Sequence, residues 1–190
     1  MAPVRVQVPC IPLGRDLHGA TLRWNRDVTA RLAGFDSQAS RMRPFKVIGF
    51  TGSREGMTPA QERAVRILLE CYRKHGGAEW FVHGDCVGAD AAAHALAVAE
   101  GLKTAALPGN IPKLRAYCQA DVVDEPLEPL VRNRKLVRKA DVVIACPKTA
   151  AETRRGGTWY TIRHARETET PLLVCLPEGP VRVECLRYWE

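Results

Sequence analysis

Gly52-Ser53-Arg54 closes an apolar run, Lys46-Val47-Ile48-Gly49-Phe50-Thr51, and a well-marked helix follows it. Glycine lets a backbone approach a ligand closely. A helix N-terminus supplies free N–H groups and the positive end of a dipole. Ser53 adds a hydroxyl and Arg54 a fixed cation, so these residue types suit a phosphate. The same types recur in His83-Gly84-Asp85-Cys86-Val87-Gly88-Ala89-Asp90, in Arg132-Asn133 and in Arg155-Gly156-Gly157-Thr158. Each group alone is weak evidence and fits an ordinary turn with a surface arginine.

The surrounding pattern gives them a shared location. Val47–Phe50, Trp80–Val82, Thr104–Leu107, Val142–Cys146 and Pro171–Leu176 read as short strands that are apolar on both faces. Thr58-Pro59-Ala60-Gln61 is a helix start, with a threonine cap, proline at the first helical position and glutamine at the third. Val65, Leu68, Leu69 and Tyr72 then mark one buried face. Further helices are expected over 89–100, about 112–120, about 128–139 and from Gly156 to about 168. Strands alternating with helices imply an α/β fold: a Rossmann-like three-layer sandwich on a mainly parallel sheet of about five core strands. Ligands of such sheets bind beyond the carboxyl ends of the strands. The exits after Phe50, Val82 and Cys146 point to that one edge.

Within the constellation, Asp90 falls in the first turn of a helix, where it favours the dipole or accepts hydrogen bonds from a ribose or a loop N–H. Asn133, Leu136, Val137 and Ala140 fall at i, i+3, i+4 and i+7, so an asparagine opens a buried face and needs polar partners. Arg132 stands beside it. Arg134, Lys135, Arg138 and Lys139 read as solvent face. The candidate ligand- and phosphate-binding set is Gly52, Ser53, Arg54, Gly84, Asp85, Gly88, Asp90, Arg132, Asn133, Gly156, Gly157 and Thr158.

Residues 1–44 differ from the rest. They hold short alternating apolar stretches (Val4, Val6, Val8) and several breakers, and they read as an arm or small hairpin ahead of a main domain over 45–190. The chain has 190 residues, is 46% hydrophobic and carries a formal net charge of +7. The positive balance suits nucleic acid or a polyanionic small ligand. No stretch approaches the roughly 20 apolar residues of a membrane helix, and no signal-peptide pattern opens the chain. Seven scattered cysteines with no C-x-x-C pair point to reduced thiols and a cytoplasmic setting.

The order Gly-Ser-Arg, His-Gly-Asp-x-x-Gly-Ala-Asp, Arg-Asn and Gly-Gly-Thr resembles the SLOG superfamily, which includes the LOG phosphoribohydrolases and the DNA-processing protein DprA. The YspA, or cpYpsA-related, branch looks most similar. The resemblance covers about residues 46–177. It implies a Rossmann-like fold, a nucleotide or nucleotide-derived ligand, and a homo-oligomer of two or more copies. LOG enzymes carry Pro-Gly-Gly-x-Gly-Thr-x-x-Glu and an upstream arginine. Here Gly157-Thr158 matches the Gly-Thr and Arg132 the arginine, but the glutamate position is Thr161 and Leu136 stands where methionine is common. Threonine cannot serve as an acid or base near neutral pH. Glu55, Asp85 or Asp90 could substitute.

Three functions follow. The first is a sensor or sequestering module for a nucleotide-derived small molecule. The second is a hydrolase of the N-glycosidic bond of nucleoside monophosphates, which needs a positioned carboxylate. The third is single-stranded DNA binding of the DprA kind, which calls for stacking aromatics in a basic groove. Aromatic residues make up only 6% of the chain, and Trp24, Trp80, Trp159 and Trp189 show no interleaved basic pattern. His83, Asp85, Cys86, Asp90 and His94 lie close in sequence but match no zinc spacing. No metal and no cofactor are expected, and Cys86 lacks a motif that would activate it as a nucleophile.

Overall fold

The computed structural model describes residues 45–185. The expected arm over 1–44 therefore lies outside the described residues. One seven-stranded sheet, in the order β4-β3-β2-β1-β5-β6-β7, organises the domain. Its strands are β1 (Val47–Gly52), β2 (Trp80–His83), β3 (Lys103–Ala106), β4 (Val122–Val123), β5 (Val142–Cys146), β6 (Leu172–Cys175) and β7 (Val181–Glu184). All pairings are parallel except β6 with β7. The α/β sandwich is as expected, with two more strands than the five anticipated. β4 is a two-residue edge, and β7 has a polar, half-buried pattern, so neither carries the apolar run that announces a core strand.

Among the described residues four α-helices cover the sheet: α1 (Pro59–Lys74), α2 (Ala89–Ala99), α3 (Pro129–Lys139) and α4 (Gly157–Glu167). Alternation along the strands splits the core in two. Ile48, Phe50, Phe81, Val142 and Ile144 face Val65, Leu68, Leu69, Ala93 and Ala97 of α1 and α2. Val82, Val143, Ala145, Leu172 and Val174 face Leu136, Val137, Trp159 and Ile162 of α3 and α4. Burying a side chain of this size contributes about 1.5–3 kcal/mol.

The threonine-proline helix start is present in full. Thr58 Oγ1 accepts from Gln61 N, and Gln61 Oε1 accepts from Thr58 N at 3.0 Å. The buried Gln61 also donates through Nε2 to the carbonyls of Pro147 and Cys175, each at 2.9 Å. One glutamine thus caps α1 and ties it to the ends of β5 and β6. Two expectations are corrected. The helix expected over 112–120 is a single 3-10 turn at Pro112–Leu114, followed by irregular backbone. Pro112 starts the turn, and Asp85 then draws the chain out by binding Arg115 and the N–H of Cys118. The second correction concerns Gly52-Ser53-Arg54. It ends β1, but α1 begins only at Pro59, and its N-terminus is already occupied by its own capping box.

Among the described residues no helix is long and apolar enough to cross a membrane. The six cysteines described are free thiols.

Candidate functional site

Rossmann-type sheets bind ligands where strand order reverses. Here that point lies between β1 and β5, whose last residues, Gly52 and Cys146, stand in register. Ser53 N donates to Cys146 O at 3.0 Å, and Ser53 O accepts from Ala89 N at 2.9 Å, so the exit of β1 is fastened to β5 and to the start of α2. Ser53 Oγ accepts from Glu55 N at 3.1 Å, a local turn. Arg54 is exposed.

The loop after β2 folds over this exit. Gly88 has φ +86°, and its backbone lies against the Arg54 carbonyl so tightly that no Cβ fits. Asp90 is buried at the first turn of α2 and accepts from the backbone N–H of Cys86 at 3.2 Å, with the N–H groups of Gly84 and Gly52 also favouring its charged form. Asp90 thus combines a first-turn position in α2 with a hydrogen bond from the loop after β2. Burial pushes its carboxyl up to about 6, although Arg132 and these N–H groups pull the other way.

α3 delivers Arg132 and Asn133. The periodicity puts Asn133 inward, and the structure buries both, with Arg132 only 7% exposed. The Arg132 guanidinium lies on Gly84, in the space a Cβ would fill. Nη2 contacts Cys86 Sγ at 3.1 Å, and Nη1 stands 3.9 Å from Asp90 Oδ2. Arg132 Nε is buried and has no hydrogen-bond partner among the described residues. Such an orphaned donor costs about 1–3 kcal/mol. Asn133 Nδ2 donates to Gly157 O at 3.3 Å, so the same helical step reaches the start of α4. Gly156 is the N-cap of α4, and no side chain caps that terminus. Its first N–H groups lack intrahelical partners.

Direct contacts thus join Arg54 to Gly88, Gly84 and Asp90 to Arg132, and Asn133 to Gly157, while Gly52 and Ser53 form the exit of β1, and Gly156 and Thr158 flank Gly157 at the α4 terminus. Asp85 turns away. It is left-handed at φ 54° and takes Arg115 Nε on Oδ2 at 2.8 Å and Cys118 N on Oδ1 at 2.9 Å. Thr161 is fully buried, and its hydroxyl donates to Gly157 O at 2.9 Å. Sequence reasoning passed over Arg115, Tyr117 and Cys118 because they fell within an expected helix.

Among the described residues one cluster has metal-ligand chemistry: the ring nitrogens of His83 and His94 and the thiol of Cys118 lie within 4.8 Å of one another. The hydrogen bonds argue against that use. Asp85 N donates to His83 Nδ1 at 3.1 Å, which leaves the ring proton on Nε2, facing His94 Nδ1 at 3.1 Å. A cation on Nε2 would have to displace that proton and break the bond. Burial keeps both rings neutral, holding His83 down at about 4, and pushes the Cys118 thiol up to about 11.

No protein-family model matches the chain, and no curated protein matches it in sequence. Solved structures do share its fold. The molybdenum cofactor binding protein of Rippkaea orientalis superposes with a TM-score of 0.53 at 23% identity, over 70% of this chain and 77% of that one. The molybdenum cofactor carrier protein of Chlamydomonas reinhardtii gives 0.50 at 16% identity, over 68% and 76%. DNA processing protein A of Streptococcus pneumoniae gives 0.50 at 23% identity, over 68% of this chain and half of that one. The chain therefore has the Rossmann-like fold that these cofactor-binding and DNA-processing proteins share.

Proposed function

We propose that the chain is a SLOG-type binding module, close to the YspA branch, that holds a phosphate-bearing, nucleotide-derived small molecule at the carboxyl edge of its sheet. The observation that carries this reading is Arg132, a buried cation with an unsatisfied Nε, whose helical neighbour Asn133 bonds to Gly157 at the uncapped N-terminus of α4. An unsatisfied guanidinium donor and an uncapped helix N-terminus each favour an anionic ligand. Gly52, Ser53, Arg54, Gly84, Gly88, Asp90, Asn133, Gly156, Gly157 and Thr158 would surround it, with Asp85 supporting the loop. Two proteins of the same fold bind or carry molybdenum cofactor, which favours a role in holding a small molecule.

Binding without hydrolysis is favoured by Thr161. It occupies the glutamate position of LOG enzymes and spends its hydroxyl on the backbone of α4. The protein would work in the cytosol as a homo-oligomer. The test is mass spectrometry of small molecules released when the purified protein is denatured, with titration of adenosine monophosphate and ADP-ribose. An intact phosphate ester and a loss of at least tenfold in affinity in Arg132→Gln would support the reading. Release of free base would replace it with the hydrolase, and binding confined to single-stranded oligonucleotides with the DNA-binding alternative.

A further inference from the structure

The segment after the 3-10 turn is built onto the same loop that receives Arg132. Cys86 and Arg115 form an antiparallel bridge, Val87 N donates to Leu114 O at 3.0 Å, and Ala116 N donates to Asp85 O at 2.8 Å. The buried Asp85 carboxylate adds its bonds to Arg115 Nε and Cys118 N. Between these anchors Tyr117 is forced to φ 54°, a conformation that a bulky aromatic residue rarely adopts. The outcome is not burial: Tyr117 is 56% exposed. The Arg115 guanidinium sits 4.5 Å from its ring centroid, and Asp85 keeps that cation from swinging away. Strained backbone that holds an aromatic ring out to solvent has no packing explanation and is typical of ligand clamps.

We propose that Tyr117, backed by Arg115, is a stacking platform for the aromatic base of the bound ligand. The site would then recognise a nucleoside phosphate and not a simple sugar phosphate. This rests on the phosphate reading of Arg132. Cys86 joins the two halves, since its side chain touches Arg132 and its backbone pairs with Arg115. A base presents a flat π-face, and stacking on an aromatic ring tolerates any base identity. The guanidinium behind the ring adds a cation–π interaction.

The experiment is calorimetric titration of the full chain with adenosine monophosphate and with ribose 5-phosphate, which lacks the ring. The parent is expected to prefer the nucleotide. Tyr117→Ala is expected to shrink that preference roughly tenfold, whereas Tyr117→Phe keeps the ring and should keep the preference. Arg132→Gln should weaken both ligands together. An unchanged preference in Tyr117→Ala, or its loss in Tyr117→Phe as well, would overturn the platform. So would a parent that binds both ligands equally, and in that case the phosphate reading survives. A parent that binds neither ligand, with or without Arg132, removes both. A preference that depends on Tyr117 only with a single-stranded oligonucleotide overturns the mononucleotide assignment.

Discussion

Arg132 and Gly84 share one space: the guanidinium lies where a side chain on residue 84 would begin. A helix on one face of the sheet thereby places its cation directly on the backbone leaving β2. Gly84→Ala should push the far end of Arg132 off this backbone. That end is flexible, so the stability cost should stay near 1–3 kcal/mol, while ligand affinity should fall about as far as in Arg132→Gln. Denaturant midpoints measured alongside ligand titration check the split. Retained affinity in Gly84→Ala would refute it.

Gly88→Ala should be worse for folding. Its φ of +86° disfavours any L side chain, and the obstacle is the Arg54 backbone, which cannot rotate aside. Overpacking and left-handed strain together predict a loss of about 3 kcal/mol. Chemical denaturation of the two glycine variants side by side should rank Gly88→Ala below Gly84→Ala, and the reverse order would contradict the geometry.

The pH dependence of stability should expose two opposed groups. Burial raises the Asp90 carboxyl to about 6, so its contribution is full below the unfolded value near 4 and is lost as pH rises through 6. His83 runs the other way. Its folded value is lowered to about 4, so its contribution is present above about 6.5 and is lost as pH falls through 4. Across this window the groups offset one another. Asp90→Asn removes one of them, so the variant should lose about 2 kcal/mol more than the parent between pH 7 and pH 4.5. Equal slopes in urea titrations at the two pH values would rule this out.

Restoring the LOG carboxylate should not restore LOG chemistry. Thr161 is fully enclosed, and its hydroxyl is bonded to Gly157 O. Thr161→Glu would bury a charge without a partner, at a cost of several kcal/mol. The expected result is a lower melting temperature and no free adenine from adenosine monophosphate by chromatography. Appearance of the base would show that the position faces a substrate.

The strands β1, β2, β3, β5 and β6 and the helices α1 to α4 could be read along the chain because their signals are local. Apolar runs, the Thr58–Gln61 cap and the i, i+3, i+4 spacing act over a few residues. The edge strands β4 and β7 could not, since an edge needs little apolar content and exists only through the neighbour it pairs with. The segment 115–118 was misread for the same reason: its shape is imposed by Asp85, 30 residues away from Arg115 in the chain.

The candidate site divides along this line. Residue types and their order singled out Gly52, Gly84, Gly88, Arg132, Asn133 and Gly157 as candidates, because glycine and buried polar groups stand out at strand exits and on helical faces. Packing alone made Arg132 a buried cation seated on Gly84, turned Asp85 away from the site, and closed Thr161 off. Burial, desolvation and contact between distant segments arise only when the chain is folded, and these decide which polar side chains remain free to meet a ligand.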